Sequence, residues 1–165
     1  MILIITQIII VFINYYIATT ENKKNIYIVT FLFNFANLLM YFFNDDKTTT
    51  ITYIIIALRS LIYIYKDKLK THIIPILFIS LHLFIGFYNI KNIWELIPII
   101  IPSLVCYYMW YSKNTQELRL WNAFCNACWS IYNLKTGLYI VMISRIITVI
   151  MNLSQYVKKN KIKKE

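Results

Sequence analysis

Arg59 stands in the middle of ITYIIIALRSLIYIY, residues 51–65, a stretch otherwise almost wholly apolar or aromatic. Arg145 stands the same way inside GLYIVMISRIITVI, residues 137–150. A guanidinium offers donors and no acceptor, and it reads carboxylate or phosphate through paired parallel hydrogen bonds. In hydrocarbon such a charge costs roughly 2.5–3.5 kcal/mol on insertion scales, so it normally faces a bundle interior or water. The acidic residues are Glu21, Asp45, Asp46, Asp67, Glu95, Glu117 and Glu165, all at or between the ends of the apolar runs. None of them is placed to neutralise either arginine in mid-run. Two readings stand. Either both arginines face a cavity and attract an anion, or their long side chains reach back to the interface. Arg59 is about 9 Å of helix from the end of its run, at 1.5 Å per residue.

Other polar residues share these runs. Asn34 and Asn37 lie three apart, and Asn122 and Asn126 four apart, so each pair occupies one helix face; Asn133 lies further along. They either bond between helices, at about 0.6 kcal/mol each, or line a solute path. Trp129 and Tyr132, three apart, offer a stacking surface or packing between helices. The candidate substrate-binding set is therefore Arg59 and Arg145 for charge, Asn37 and Asn126 for hydrogen bonds, and Trp129 for packing.

Catalytic and metal chemistry find less support. Cys125 and Cys128 form a CxxC without a second ligand pair, and His72 and His82 are ten residues apart, so no metal site is expected. Cys106 reads as core, and His82 as a helix-interface residue or a proton relay. There is no Gly-rich phosphate loop, no G-x-S-x-G and no His-x-x-x-His. The runs contain no paired Asp. Neither an enzyme nor a cofactor is expected.

These residues need elements to hold them, and composition says what the elements are. Of 165 residues, 59% are hydrophobic and 15% charged, with 2 Gly and 3 Pro. A soluble domain carries roughly 45–50% apolar and about 25% charged residues. The excess suits a chain whose solvent is a lipid bilayer. Seven apolar runs are readable: Ile2–Ala18, Ile26–Phe43, Thr50–Tyr65, His72–Ile90, Leu96–Tyr111, Leu118–Asn133 and Gly137–Val157. They are continuous rather than alternating, which excludes a barrel and predicts helices. The expected fold is all-α, a polytopic membrane protein of seven transmembrane helices. No basic residue precedes the first apolar run, so it is expected to be a retained helix rather than a signal peptide.

The basic residues give an orientation, because Lys and Arg stay cytoplasmic. With the N-terminus outside, the inner loops and tail hold Lys23, Lys24, Lys66, Lys68, Lys70, Lys113, Arg119, Lys158, Lys159, Lys161, Lys163 and Lys164, and the outer loops only Lys47, Lys91 and Lys135. The net charge of +10 is thus a topology signal and not a nucleic-acid footprint. The tail VKKNKIKKE would lie against an anionic leaflet, at about 1 kcal/mol per cation. The expected localisation is a bacterial cytoplasmic membrane, with the C-terminus inside.

The chain also repeats itself. Phe33, Ala36 and Tyr41 have the spacing of Phe124, Ala127 and Tyr132, and Tyr53-Ile54 precedes Arg59 as Tyr139-Ile140 precedes Arg145. Helices one to three and five to seven then form two parallel units with helix four between them, a 3+1+3 plan whose site lies between the halves. The units are residues 1–66, a linker helix 67–92, residues 93–157, and a basic tail 158–165. One chain holding both halves leaves the oligomeric state open.

The stretch from Trp94 to Gly137 resembles the YgjV family of bacterial inner-membrane proteins. The resemblance lies in Glu95 to Pro98, in Cys128, Trp129, Ile131 and Asn133, and in ALRSLI at Ala57 to Ile62. That family implies the fold and no assigned activity. Its plan is similar to that of the SWEET and PQ-loop transporters, which imply a hinge Pro in each unit and Asn and Trp around a sugar pocket. Here Pro98 and Pro102 stand in the fifth run, while the first run has no Pro and no Pro-Gln pair occurs. The function these readings imply is binding or transport of a small, anionic solute between two halves; the alternative is a non-transporting scaffold or partner subunit.

Overall fold

A computed structural model describes residues 2–20, 23–69, 71–112 and 114–162. Among them the chain is helical throughout. The helices are α1 (Ile2–Thr19), α2 (Lys23–Phe43), α3 (Lys47–Tyr63), a single turn α4 (Lys66–Leu69), α5 (Ile73–Asn89), α6 (Leu96–Tyr111), α7 (Thr115–Lys135) and α8 (Tyr139–Ile162), with a 3-10 turn Ile93–Glu95 before α6. Each of the seven runs contains one long helix. The turn α4 was not legible in the sequence, and α8 continues as backbone helix to Ile162, through most of the residues read as a tail. Lys70, Lys113, Lys163 and Lys164, which entered the orientation argument, lie outside the described residues.

Helix boundaries follow local chemistry. Asp46 caps α3 by accepting from the Thr49 backbone N–H at 3.0 Å, so the helix begins at Lys47 rather than Thr50. Asn114 caps α7 the same way, accepting from Glu117 N–H at 2.9 Å while its own amide donates to Glu117 Oε1 at 3.0 Å. Two tight turns share one design. After α2, Asp46 N–H returns to the Tyr41 carbonyl across Asp45 at φ 54°; after α7, Leu138 N–H returns to the Asn133 carbonyl across Gly137 at φ 76°. Each is a helix end closed by a left-handed residue.

In contact order the helices form a closed ring, α1–α2–α3–α6–α7–α8 and back to α1, with α5 packed outside against α3 and α6. Gly86 permits the α5–α6 seam, since a Cβ there would lie 2.5 Å from the Ile99 side chain. The ring is inverted relative to a soluble protein. Phe12, Ile73, Phe84 and Tyr88 are among many large apolar side chains exposed on its outside. Asn14, Asn34, Asn37, Arg59, Arg119, Asn126, Asn133, Ser144, Arg145, Thr148 and Asn152 are buried inside it. In water this would be unstable; in lipid it is the expected arrangement. Asn25–Phe43, Ile93–Tyr111 and Tyr139–Lys158 are long and apolar enough to cross a membrane by themselves, and Leu3–Ile17 and Ile73–Tyr88 are shorter apolar helices. α3, at 17 residues, is shorter than that standard, and both α3 and α7 carry much of the polar interior on their inward faces.

Candidate functional site

The two ends of the ring differ. At the end carrying the α2–α3 and α7–α8 turns, here the turn end, the interior is filled. Met40, Tyr41, Tyr53, Trp129, Tyr132, Leu138 and Val141 form one buried cluster with Ile10 and Ala36. Tyr41 stacks on Tyr53 at 5.3 Å between centroids, and Trp129 packs against Tyr41, Tyr53 and Tyr132. The phenols are bonded across helices: Tyr41 donates to Asn133 Oδ1 at 2.5 Å, Tyr132 donates to Asp46 Oδ2 at 2.7 Å, and the Tyr132 and Thr49 hydroxyls are 2.8 Å apart.

Beyond this plug lies a cavity of about 110 Å³, lined by α1, α2, α3, α6, α7 and α8. Its walls run toward the opposite end, the mouth, with Ile17, Ile26, Met109 and Leu118 nearest it. The mouth is tied together by cations on backbone carbonyls. Lys66 donates to the Met109 and Trp110 carbonyls at 2.8 and 3.1 Å, capping the negative end of α6. Arg119 donates to the Thr20 carbonyl at 3.4 Å.

The five residues singled out in the sequence all line this cavity or bond to a residue that does. Arg59, Asn126, Trp129 and Arg145 line it directly. Asn37 accepts from Arg145 Nη2 at 2.8 Å. Arg145 also reaches the Tyr53 hydroxyl at 3.3 Å and, at a long 3.4 Å, Asn126 Oδ1. Its guanidinium lies 5.3 Å from the Trp129 ring centre and 5.4 Å from that of Phe33, within cation–π range. Arg59 donates through Nη1 to the Pro102 carbonyl at 2.8 Å. Both arginines are 2% exposed. In both, Nε has no hydrogen-bond partner from the protein, and neither has the amide nitrogen of Asn14, another lining residue.

The structure revises the matching of the two halves. Tyr41 and Asn133 occupy the same place in their turns, which puts Tyr53 opposite Arg145 rather than Arg59. Arg145 is six residues from the start of α8 and Arg59 twelve from the start of α3. They therefore sit at different depths, separated by about 9 Å of helix rise. Phe124 is exposed where Phe33 is partly buried, and Tyr139 is exposed where Tyr53 is buried.

Sequence reasoning missed two participants. Arg119, counted among loop charges, is 4% exposed and lines the cavity, so every arginine of the chain does. It is sixteen residues from the C-terminal end of α7, which makes the three a staircase from floor to mouth: Arg145, Arg59, Arg119. Tyr53 is the other, hidden by the abundance of tyrosine in this chain. Among the described residues no carboxylate lines the cavity. Donors without acceptors, in surroundings of low dielectric, favour an anion.

The remaining candidates fall elsewhere. Asn34 donates to Ser60 Oγ at 2.7 Å, tying α2 to α3 at the cavity wall. Asn122 accepts from Asn126 and holds its amide. Asn133 belongs to the plug. Cys125 lines the cavity, while Cys128 packs on the plug cluster; all three cysteines are free thiols. His82 is buried outside the cavity with Nδ1 2.7 Å from the Phe78 carbonyl, and His72 is exposed beside Tyr111. Among the described residues no three His, Cys, Asp or Glu side chains cluster as a metal ion would need.

A ring of helices, apolar outside and polar around an internal cavity, defines a helical integral membrane protein. The sequence profile of the Imp-YgjV family, a bacterial inner membrane protein, matches residues 2–163. The chain belongs to that family and is a bacterial inner-membrane protein. No curated protein and no solved structure matches it.

Proposed function

We propose that this protein binds, and passes across the inner membrane, a small anionic solute held in the arginine-lined cavity. The observation that carries the reading is the convergence of Arg59, Arg119 and Arg145 on one cavity without a carboxylate among its described lining residues. In this reading all seven long helices span the bilayer, α1–α3 and α6–α8 act as the two units of a 3+1+3 plan, and α5 links them. The mouth faces the cytoplasm, because Lys66 and Arg119 lie there and basic residues are retained on that side. The chemistry is binding and passage, not catalysis.

A thermal-shift screen in detergent against small anions, sugars and nucleosides tests this. Ligand at 100 times its dissociation constant adds roughly 2.7 kcal/mol of stability. The expected result is a shift with anions alone, lost in Arg145→Ala and weakened in Arg59→Ala. A shift with neutral sugars that survives both substitutions would overturn the reading. The second reading, a scaffold without transport, is favoured by the plug, whose crossed hydrogen bonds close one end.

A further inference from the structure

We infer that the anion is an organic monocarboxylate with an apolar body about the size of one ring, seated at Arg145. This rests on the anion-binding reading above and names its ligand class.

Two observations select Arg145 among the arginines, the partners that hold it and the rings beside it. Arg59 and Arg119 each donate to a backbone carbonyl, of Pro102 and of Thr20. Arg145 is held by side chains alone, Asn37, Tyr53 and Asn126, one of them long, and its guanidinium lies beside the Phe33 and Trp129 rings that line the cavity. Its Nε has no protein partner. A carboxylate accepting from that Nε needs no protein acceptor to be displaced, and Asn37 and Tyr53 fix the guanidinium plane that would receive it.

The walls then select the rest of the molecule. Between the arginine steps the cavity is lined by Phe33, Tyr53, Ile56, Val105, Tyr108 and Trp121. A strongly hydrated inorganic anion would lose its water here and receive few hydrogen bonds in return. An aryl or branched alkyl carboxylate exposes one charged group to the donors and gives the rings an apolar face. The size agrees: the cavity measures about 110 Å³, comparable to engineered apolar cavities of roughly 150 Å³ that accept benzene. Long acyl chains exceed it. Arg59 and Arg119, nearer the mouth, raise the local concentration of anions without seating them.

The test uses the intact protein in detergent and its own tryptophans, since Trp121 and Trp129 line the cavity. Quenching is titrated with benzoate, acetate, sodium phosphate and benzamide, the last a neutral analogue of the first. Benzoate is expected to bind about tenfold or more tighter than acetate or phosphate. Benzamide is expected to leave the signal unchanged. Arg145→Lys keeps the charge and removes the fork, and is expected to weaken benzoate by about tenfold. Phosphate binding as tightly as benzoate, with the same dependence on Arg145, overturns the apolar-body inference and leaves the anion reading in place. Benzamide binding as tightly as benzoate overturns both. So does a flat response to every anion. The ligand comparison on the unaltered protein decides the matter even if Arg145→Lys fails to fold.

Discussion

The turn end and the mouth end of this bundle are made from the same helices and bury polar groups in opposite ways. At the turn end, the hydroxyls of Tyr41, Thr49 and Tyr132 pair with Asn133 Oδ1 and Asp46 across α2, α3 and α7, the Asn133 amide nitrogen alone of these groups lacks a partner, and rings fill the space between them. From the plug to the mouth, three guanidinia line open space and two keep an unpartnered Nε. A buried polar group is stabilising when paired and costly when not. The turn end is therefore built for stability. The mouth end keeps unsatisfied donors, which is expected where a ligand supplies the acceptor.

One residue is shared by both ends. Trp129 belongs to the plug and lines the cavity. Trp129→Ala is expected to cost about 3–5 kcal/mol, measured as lost thermal stability in detergent, and to abolish anion binding as well. Loss of only one of these would show that the two ends are independent. Within the plug, Tyr132→Phe removes a hydroxyl shared by Asp46 and Thr49. It is expected to cost about 1–3 kcal/mol while leaving ligand titrations unchanged; a change in affinity at equal stability would contradict the division.

At the mouth the expected effects reverse. Arg119→Gln should weaken anion binding by about threefold at low salt, with the difference shrinking as the Debye length falls to about 3 Å at 1 M salt. Salt-independent loss would place Arg119 in direct contact with the ligand. Asn122→Ala, which removes the support of the Asn126 amide, is expected to cost the least, about 0.6 kcal/mol by thermal unfolding. A loss as large as that of Tyr132→Phe would mean that the cavity wall is as tightly organised as the plug.

The fold class and the heart of the site were legible for the same physical reason. Apolar runs announce helices in lipid, and against them Arg59, Arg145 and the asparagines stand out because each is costly there. What was hidden depended on pairing between helices. The Tyr41–Asn133 bond joins residues 92 apart, and nothing local marks either partner. Tyr53 is one tyrosine among 14, so its contact with Arg145 carried no sequence signal. Arg119 was hidden by position: four residues into α7 a cation reads as a loop charge, yet it folds inward to the Thr20 carbonyl. The depths of Arg59 and Arg145 were misjudged because their spacing from Tyr-Ile pairs repeats, while the turns that set helix register do not follow those pairs.

The division to test is between an open, anion-attracting cavity at one end and a closed plug at the other. Cysteine reactivity in membrane vesicles tests it most directly, with Asn122→Cys reporting the cavity and Val141→Cys, fully buried in the turn-end cluster, reporting the plug. Labelling by a negatively charged and a positively charged methanethiosulfonate is followed at each position by peptide mass spectrometry. Asn122→Cys is expected to react, faster with the negative reagent, and Val141→Cys is expected to react with neither. Equal labelling at both positions, or a preference for the positive reagent at Asn122→Cys, would contradict it.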